Sequence, residues 1–491
     1  MQAADSFMKR QDKNTGFQGK IEDKTKEAAV TSPAEETLQR IREEVFLYVW
    51  APVLTAYVEW VIREAVRSGK KRLYFLARDG FMMYRMAEKL VKERKIDLDL
   101  RYLKISRFAV RNAEYGFAGK EALHTLCAGG IDVSFEKIMK RAGLTEEEAL
   151  HIAKLTGYIQ DYKTMLNYRQ LRSLKEKLFV CDSLFVYIRR HAKGNYDTAA
   201  SYFKQEGLLD KIPYALVDSG WAGTLQLSLQ RILEHETGER VRLQGYYFGL
   251  YARPAGTDKE QYKAFYFGEK DIVRKIRFSN CLFETVFSAP EGMTYGYGTV
   301  QNGGGKRKEA KHAEKQPVGV NPDLQGEGRQ KRSGLYQALE RDGRNPNRLV
   351  IERFAELLEP YAERYVKCTK LTDAGGISDS KASKKMCKNL LSLMMGNPTP
   401  WEAEAFGSLL FCDDVLELQW QQAAVLWDEK ELRMQRFFNK LLIKMNVKRG
   451  ILHESAWPEG SIVRAGGTVG KNMRQERLYK GFMYLRKAVL R

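Results

Sequence analysis

From Thr37 to Arg67 the apolar positions fall at three- and four-residue steps, and Val53, Tyr57, Val58, Val61, Ile62 and Ala65 share one broad face, so the spacing predicts a helix. Ser68-Gly69 ends it, and Arg72-Leu-Tyr-Phe-Leu-Ala77 follows as a short aliphatic and aromatic run that reads as a buried strand. After the turn residues Asp79 and Gly80, the pattern returns to helical steps at Met82, Met83, Met86, Ala87, Leu90 and Val91. A second strand is expected over Leu100 to Val110. This strand, helix, strand order implies a mostly parallel sheet with right-handed crossovers, the arrangement of a doubly wound α/β domain.

Lys120 to Gly207 is mostly helical in pattern. Within it, Leu144-Thr145-Glu-Glu-Glu148 places a capping hydroxyl before an acidic first turn, and the whole stretch reads as an inserted helical cap. Tyr214-Ala-Leu-Val217 is a strand, Asp218 to Gly223 a loop, Thr224 to His235 a helix, and Val241 to Leu250 a further strand. Asn302 to Gly334 carries three consecutive glycines, Lys306-Arg307-Lys308 and few large apolar residues, as a flexible basic linker does. Beyond it a long helix is expected over Leu335 to Lys367, with mainly helical structure up to a basic tail that includes Arg474, Arg477, Lys480, Arg486, Lys487 and Arg491. The expected division is therefore a disordered leader over 1–36, an α/β domain over 37–300 with its helical cap at about 120–207, a flexible basic linker over 301–334 and a mainly helical C-terminal region over 335–491.

Composition narrows the chemistry. Lys and Arg outnumber Asp and Glu by 82 to 62, a formal charge of +20 that draws the chain toward phosphorylated metabolites, polyanions or an anionic membrane face. No zinc-finger spacing, helix-turn-helix signature or aromatic RNA-binding strand accompanies that charge, so nucleic acid is not the expected partner. Cys127, Cys181, Cys281, Cys368, Cys387 and Cys412 are scattered without a C-x-x-C pair, which fits a reducing compartment; the six histidines do not cluster, so zinc is not expected. The leader lacks the apolar core of a signal peptide. The longest apolar run, Val45 to Val58, is too short for a span and contains Pro52, so the expected location is the cytoplasm, with peripheral contact at the inner face of the membrane.

In open parallel sheets, ligands sit beyond the carboxyl ends of the strands. Two segments lie there. In Asp218-Ser-Gly-Trp-Ala-Gly-Thr224, Gly220 and Gly223 allow close backbone approach, N–H groups opening the next helix bind phosphate, Ser219 and Thr224 add hydroxyls, and Trp221 and Ala222 complete the loop. Asp218 suits a magnesium ion or sugar hydroxyls. The other segment, Arg78-Asp79-Gly80, repeats the strand, charged loop, helix design, with an internal ion pair of Arg78 as the competing reading. Ser106, Arg107 and Arg111, expected at the end of the second strand, are suited to phosphate oxygens.

The order of these units resembles the phosphoribosyltransferase fold: Leu73 to Gly80 stands where that family cradles pyrophosphate, and Tyr214 to Leu225 where it grips the 5-phosphate of phosphoribosyl pyrophosphate. The family carries two adjacent acidic residues at the second place, and here Ser219 follows Asp218. The segments Tyr-Phe-Leu-Ala-Arg-Asp-Gly-Phe81, Val-Asp-Ser-Gly-Trp-Ala-Gly-Thr224 and Phe287-Ser-Ala-Pro-Glu-Gly292 also resemble a group of bacterial proteins from capsule and O-antigen loci. These are often labelled haloacid-dehalogenase-like hydrolases, because many carry such a phosphatase domain ahead of this region. No Asp-x-Asp motif precedes residue 70 here, so that domain is not expected in this chain. Some relatives resemble polysaccharide phosphoribosyltransferases. The resemblance implies a glycosyltransferase-type enzyme of polysaccharide biosynthesis that moves a phosphoribosyl or related phosphosugar group from phosphoribosyl pyrophosphate to a glycan or lipid-linked glycan. On this reading Asp79, Asp218 and Arg78 are catalytic, magnesium is the cofactor, and Glu284 and Glu291 serve the acceptor side. A phosphatase or hydrolase, and a non-catalytic phosphosugar-binding module, are the other expected classes.

Overall fold

A computed structural model describes residues 33–128, 133–299, 336–341, 345–369, 380–413, 415–417, 419–445, 447–450 and 452–489. The expected linker over 301–334 and nearly all of the expected leader lie outside the described residues.

Helix α1 (Pro33–Val45), a π-helical turn (Phe46–Trp50) and α2 (Ala51–Arg67) form one continuous rod. Pro52 is the second residue of α2 and directly follows the π-helical turn. By length and hydropathy this rod is long and apolar enough to cross a membrane, but 67% of its apolar window is buried inside the fold. Its apolar face is therefore a packing surface of the core.

Strands β1 (Arg72–Leu76), β2 (Asp99–Leu103), β3 (Tyr214–Trp221), β4 (Gly245–Leu250) and β5 (Tyr262–Phe267) form one all-parallel sheet in the order β2-β1-β3-β4-β5. Because alternate side chains leave a strand on opposite faces, Leu73 and Phe75 of β1 join one core while Tyr74 and Leu76 join another. The first core is covered by α2 and α3 (Gly80–Glu93), and Phe354, Leu358, Leu391, Phe406 and Trp457 of the C-terminal region share it. The second is covered by α4 (Arg107–Ala118), α5 (Asp182–Gln205) and α6 (Thr224–Thr237). Phe135, Ile138, Ile152, Leu174 and Leu184, on helices between α4 and β3, bury a third cluster, and Thr145 and Glu148 make the expected reciprocal cap there.

Two expectations on elements are corrected, and one strand had none. The second strand ends at Leu103, not Val110: Ser106 caps α4 by accepting from the Ala109 N–H, and helical turns follow at once. The expected helix from Leu335 begins only at Arg348; Tyr336–Glu340 is a strand, β7, paired antiparallel with β6 (Thr294–Thr299), a partner far away in sequence that local periodicity does not reveal. The fifth sheet strand, Tyr262–Phe267, is an aromatic run with no expectation attached.

Order 2-1-3-4-5 places the topological switch between β1 and β3, because the chain moves outward from β1 to β2, crosses back, and continues from β3 the other way. Arg78-Asp79-Gly80 follows β1, and Asp218 to Trp221 forms the carboxyl end of β3.

Candidate functional site

Val217 pairs with Phe75, so Asp218 stands one residue beyond the last contact between β3 and β1, and Asp79 lies in the turn after β1. Gly80 opens α3 directly under that turn. A Cβ on it would lie 2.9 Å from the Phe75 carbonyl carbon, so only glycine lets the helix start so close to the strand. The Ser219 hydroxyl donates a hydrogen bond to Asp79 Oδ2 and joins the two segments. Ser219 is itself fully buried, and its hydroxyl is directed at Asp79.

Strand β3 does not stop at Val217. It continues through Trp221, with Gly220 opposite Gly249 and Trp221 opposite Leu250. The loop proper is thus only Ala222 and Gly223. Gly220 has φ +116° and Trp221 φ +81°, a backbone course that turns the strand end sharply toward α6. A Cβ at Gly220 would come within 2.3 Å of the Gly249 carbonyl oxygen. Gly220→Ala is accordingly expected to lose on the order of 3 kcal/mol or more of stability, read as a lower urea midpoint.

Trp221 packs against Tyr251, Phe267, Phe278 and Phe283, and its Nε1–H donates to Glu284, on the helix Asn280–Phe287. Glu284 is therefore drawn into the same cluster as Asp79 and Asp218. Burial pushes the Asp218 carboxyl up to about 8, with the Asp79 charge adding to it; N–H groups of Ser219 and Gly220 and the Arg107 charge oppose the rise. Burial, again with Asp79 adding, holds Glu284 up to about 8. Asp79 is raised by burial against the hydrogen bond from Ser219 and the charges of Arg78 and Arg107. Behind the cluster, the Tyr57 hydroxyl is shared between the backbone carbonyls of Asp218 and Tyr246 and anchors the strand end.

Cations face these acids. Arg78 pairs with Glu417, so the competing reading of a pair with Asp79 or Asp218 gives way to a partner from the C-terminal region, and its buried Nη1 has no hydrogen-bond partner. Arg107, at the start of α4, is exposed; its charge acts on Asp79, Asp218 and Glu284 together. One turn further along α4, Arg111 donates to Thr224 Oγ1 at 3.1 Å, and its buried Nε has no partner. Thr224 is the first residue of α6, whose N-cap, Gly223 at φ +61°, offers no side-chain cap, so the helix opens with N–H groups unclaimed by any side chain. At Gly223 a Cβ would meet the Tyr262 ring at 2.5 Å.

Two expected residues stand apart from this centre. Ser106 is occupied as the α4 cap and as donor to the Thr294 carbonyl at 2.5 Å. Glu291 accepts from Tyr102 at 2.8 Å and pairs with Lys104, which also bridges to Glu340 at 3.0 Å; its charge still acts on Arg78. Sequence reasoning did not find Tyr57, Tyr102, Lys104 or Glu417. Lys104 directly follows β2 and had a positional signal, whereas Glu417 lies 339 residues from Arg78 and had none.

The Asp79 charge adds to the rise of Asp218, a crowding of negative charge that a divalent cation would relieve, and Ser219 holds Asp79 in place. Among the described residues no three His, Cys, Asp or Glu side chains group as a self-sufficient metal cage. The donor set fits magnesium, which is held by one or two carboxylates with phosphate oxygens completing its shell. No protein-family model matches the chain, and no curated protein matches it.

Proposed function

We propose that the protein transfers a phosphoribosyl or related phosphosugar group from a pyrophosphate donor to a hydroxyl of a glycan precursor, in a site of phosphoribosyltransferase-like type. The observation that carries this reading is the juxtaposition, at the β1/β3 switch point, of two carboxyls whose proton affinity burial raises with two buried guanidinium nitrogens, Arg78 Nη1 and Arg111 Nε, that have no hydrogen-bond partner. A magnesium-bound pyrophosphate ester carries both complements at once.

In this scheme the uncapped start of α6, Thr224 and Arg111 hold the 5-phosphate, while Arg78 and Arg107 face the pyrophosphate. Asp218 and Asp79 would hold magnesium, whose charge offsets that of the pyrophosphate. The acceptor oxygen bonds to the anomeric carbon as its bond to pyrophosphate breaks, and pyrophosphate leaves with that electron pair. The acceptor proton passes to Glu284, whose carboxyl burial holds up to about 8. Glu291, held by Tyr102 and Lys104, lines the acceptor side. The acceptor is a glycan or lipid-linked glycan of surface polysaccharide assembly, and the reaction belongs to the cytoplasm.

Ser219 turned inward leaves Asp218 as the single acid at the end of β3, an observation that favours a non-catalytic phosphosugar sensor as the second reading. A hydrolase of the Asp-x-Asp type finds only Asp79, with Phe81 at the position of the second acid.

Calorimetric titration with phosphoribosyl pyrophosphate tests the donor site. Saturable, magnesium-dependent binding is expected in the wild type and not in Asp218→Ala or Thr224→Ala. Absence of binding in the wild type overturns the proposal, and binding without pyrophosphate release in the presence of glycan acceptors favours the sensor.

A further inference from the structure

The last described helix, α7 (Val469–Val489), has an inner face fastened by buried charges and rings. Lys480 pairs with Glu459 at 2.6 Å, Glu476 pairs with Lys440 at 2.9 Å, and Tyr484 stacks on Tyr251 with ring centroids 5.7 Å apart. These contacts fix the rotation of the helix, so its opposite face is held outward.

That outer face is not polar. Lys471, Arg474, Leu478, Phe482 and Leu485 follow one another at three-, four-, four- and three-residue steps, a single stripe of a helix. Leu478 is 58% exposed, Phe482 40% and Leu485 56%. The neighbouring helix Phe437–Lys444 extends the apolar surface: the Phe437 ring lies 5.9 Å from that of Phe482 and 5.0 Å from that of Phe438, which is 72% exposed. Exposed apolar residues grouped in this way mark a contact surface.

Charge decides what covers it. Glu476, the one acidic residue of α7, is buried in its pair with Lys440, whereas Lys471, Arg474, Arg486 and Lys487 are exposed. A stripe of leucine and phenylalanine on α7 whose exposed charged neighbours in that helix are cations complements a surface that is apolar a few ångströms below a layer of negative charge.

We propose that α7 and the helix Phe437–Lys444 form a docking face for an anionic lipid bilayer, with Phe438, Leu478, Phe482 and Leu485 entering the headgroup region and the basic residues meeting acidic headgroups. This surface is separate from the donor-binding groups, so docking stands or falls independently of the transfer chemistry. It would bring the protein to the membrane side where lipid-linked substrates are found.

Flotation of the full chain with vesicles tests it. The wild type is expected to float with phosphatidylcholine mixed with phosphatidylglycerol and to stay behind with phosphatidylcholine alone. Two variants, Leu478→Ser with Phe482→Ser and Leu485→Ser, and Lys471→Glu with Arg474→Glu, are expected to lose on the order of tenfold or more in partitioning. All five positions are exposed, and unchanged thermal melting is the control for folding. A wild type that does not float with anionic vesicles overturns the proposal, as does flotation of both variants like the wild type. Light scattering that shows a wild-type dimer broken by the serine variant, without flotation, assigns the face to a second copy of the chain and likewise overturns it.

Discussion

Arg111→Ala and Asp218→Asn are expected to disable opposite ends of the donor site. Arg111 donates to Thr224 at the uncapped start of α6, and its buried Nε lacks a partner, so a phosphate at this helix start would complete its bonding. Removing it should weaken ribose 5-phosphate on the order of 100-fold while leaving magnesium pyrophosphate binding largely intact. Asp218→Asn retains an oxygen for the N–H groups of Ser219 and Gly220 but removes the charge that faces magnesium. It should cost magnesium pyrophosphate a similar factor and spare ribose 5-phosphate. Titrations of the two ligands into the two variants check this; equal losses for both ligands in both variants would mean that the two segments do not divide the donor between them.

The second large effect concerns Glu284. A carboxyl held up to about 8 in the fold, against 4.5 for an ordinary glutamate, binds its proton more tightly folded than unfolded. Its contribution to stability is therefore complete below about 4.5 and is lost as pH rises toward 8. Glu284→Gln keeps an oxygen to accept from Trp221 Nε1 and removes the buried charge. Measured in chelator without phosphate, the wild type should lose on the order of a few kcal/mol relative to this variant between those limits. Urea midpoints taken across the range give the comparison, and parallel profiles for the two proteins would show that Glu284 does not titrate in this window.

What was legible in the sequence follows from the range of the forces involved. Strand β1, helix α3 and strand β3 are specified by side chains within a few residues, so Arg72 to Val91 and Tyr214 to Val217 announced themselves by periodicity, and Asp79 and Asp218 by their position after strands. The α/β class and the parallel sheet followed from the alternation of elements. The end of β2 differs from the expectation because apolar residues stand on both sides of Ser106, whose capping role depends on the Ala109 N–H geometry. Tyr336–Glu340 takes its strand form from pairing with Thr294–Thr299, and such long-range pairing overrides local preference. For the same reason the Arg78 partner, Glu417, and the buried Tyr57 behind Asp218 lay beyond local reading. The Ser219 hydroxyl was assigned to phosphate because a hydroxyl in a glycine-rich turn suits that role; in the fold β3 extends past it and directs it at Asp79.

The most direct measurement of the central claim is a crystal structure of the protein with magnesium and phosphoribosyl pyrophosphate bound. The account predicts the 5-phosphate at the Thr224 end of α6 beside Arg111, and the pyrophosphate with magnesium between Asp79 and Asp218. A ligand bound elsewhere, or a site without density at concentrations that saturate binding in solution, would contradict it.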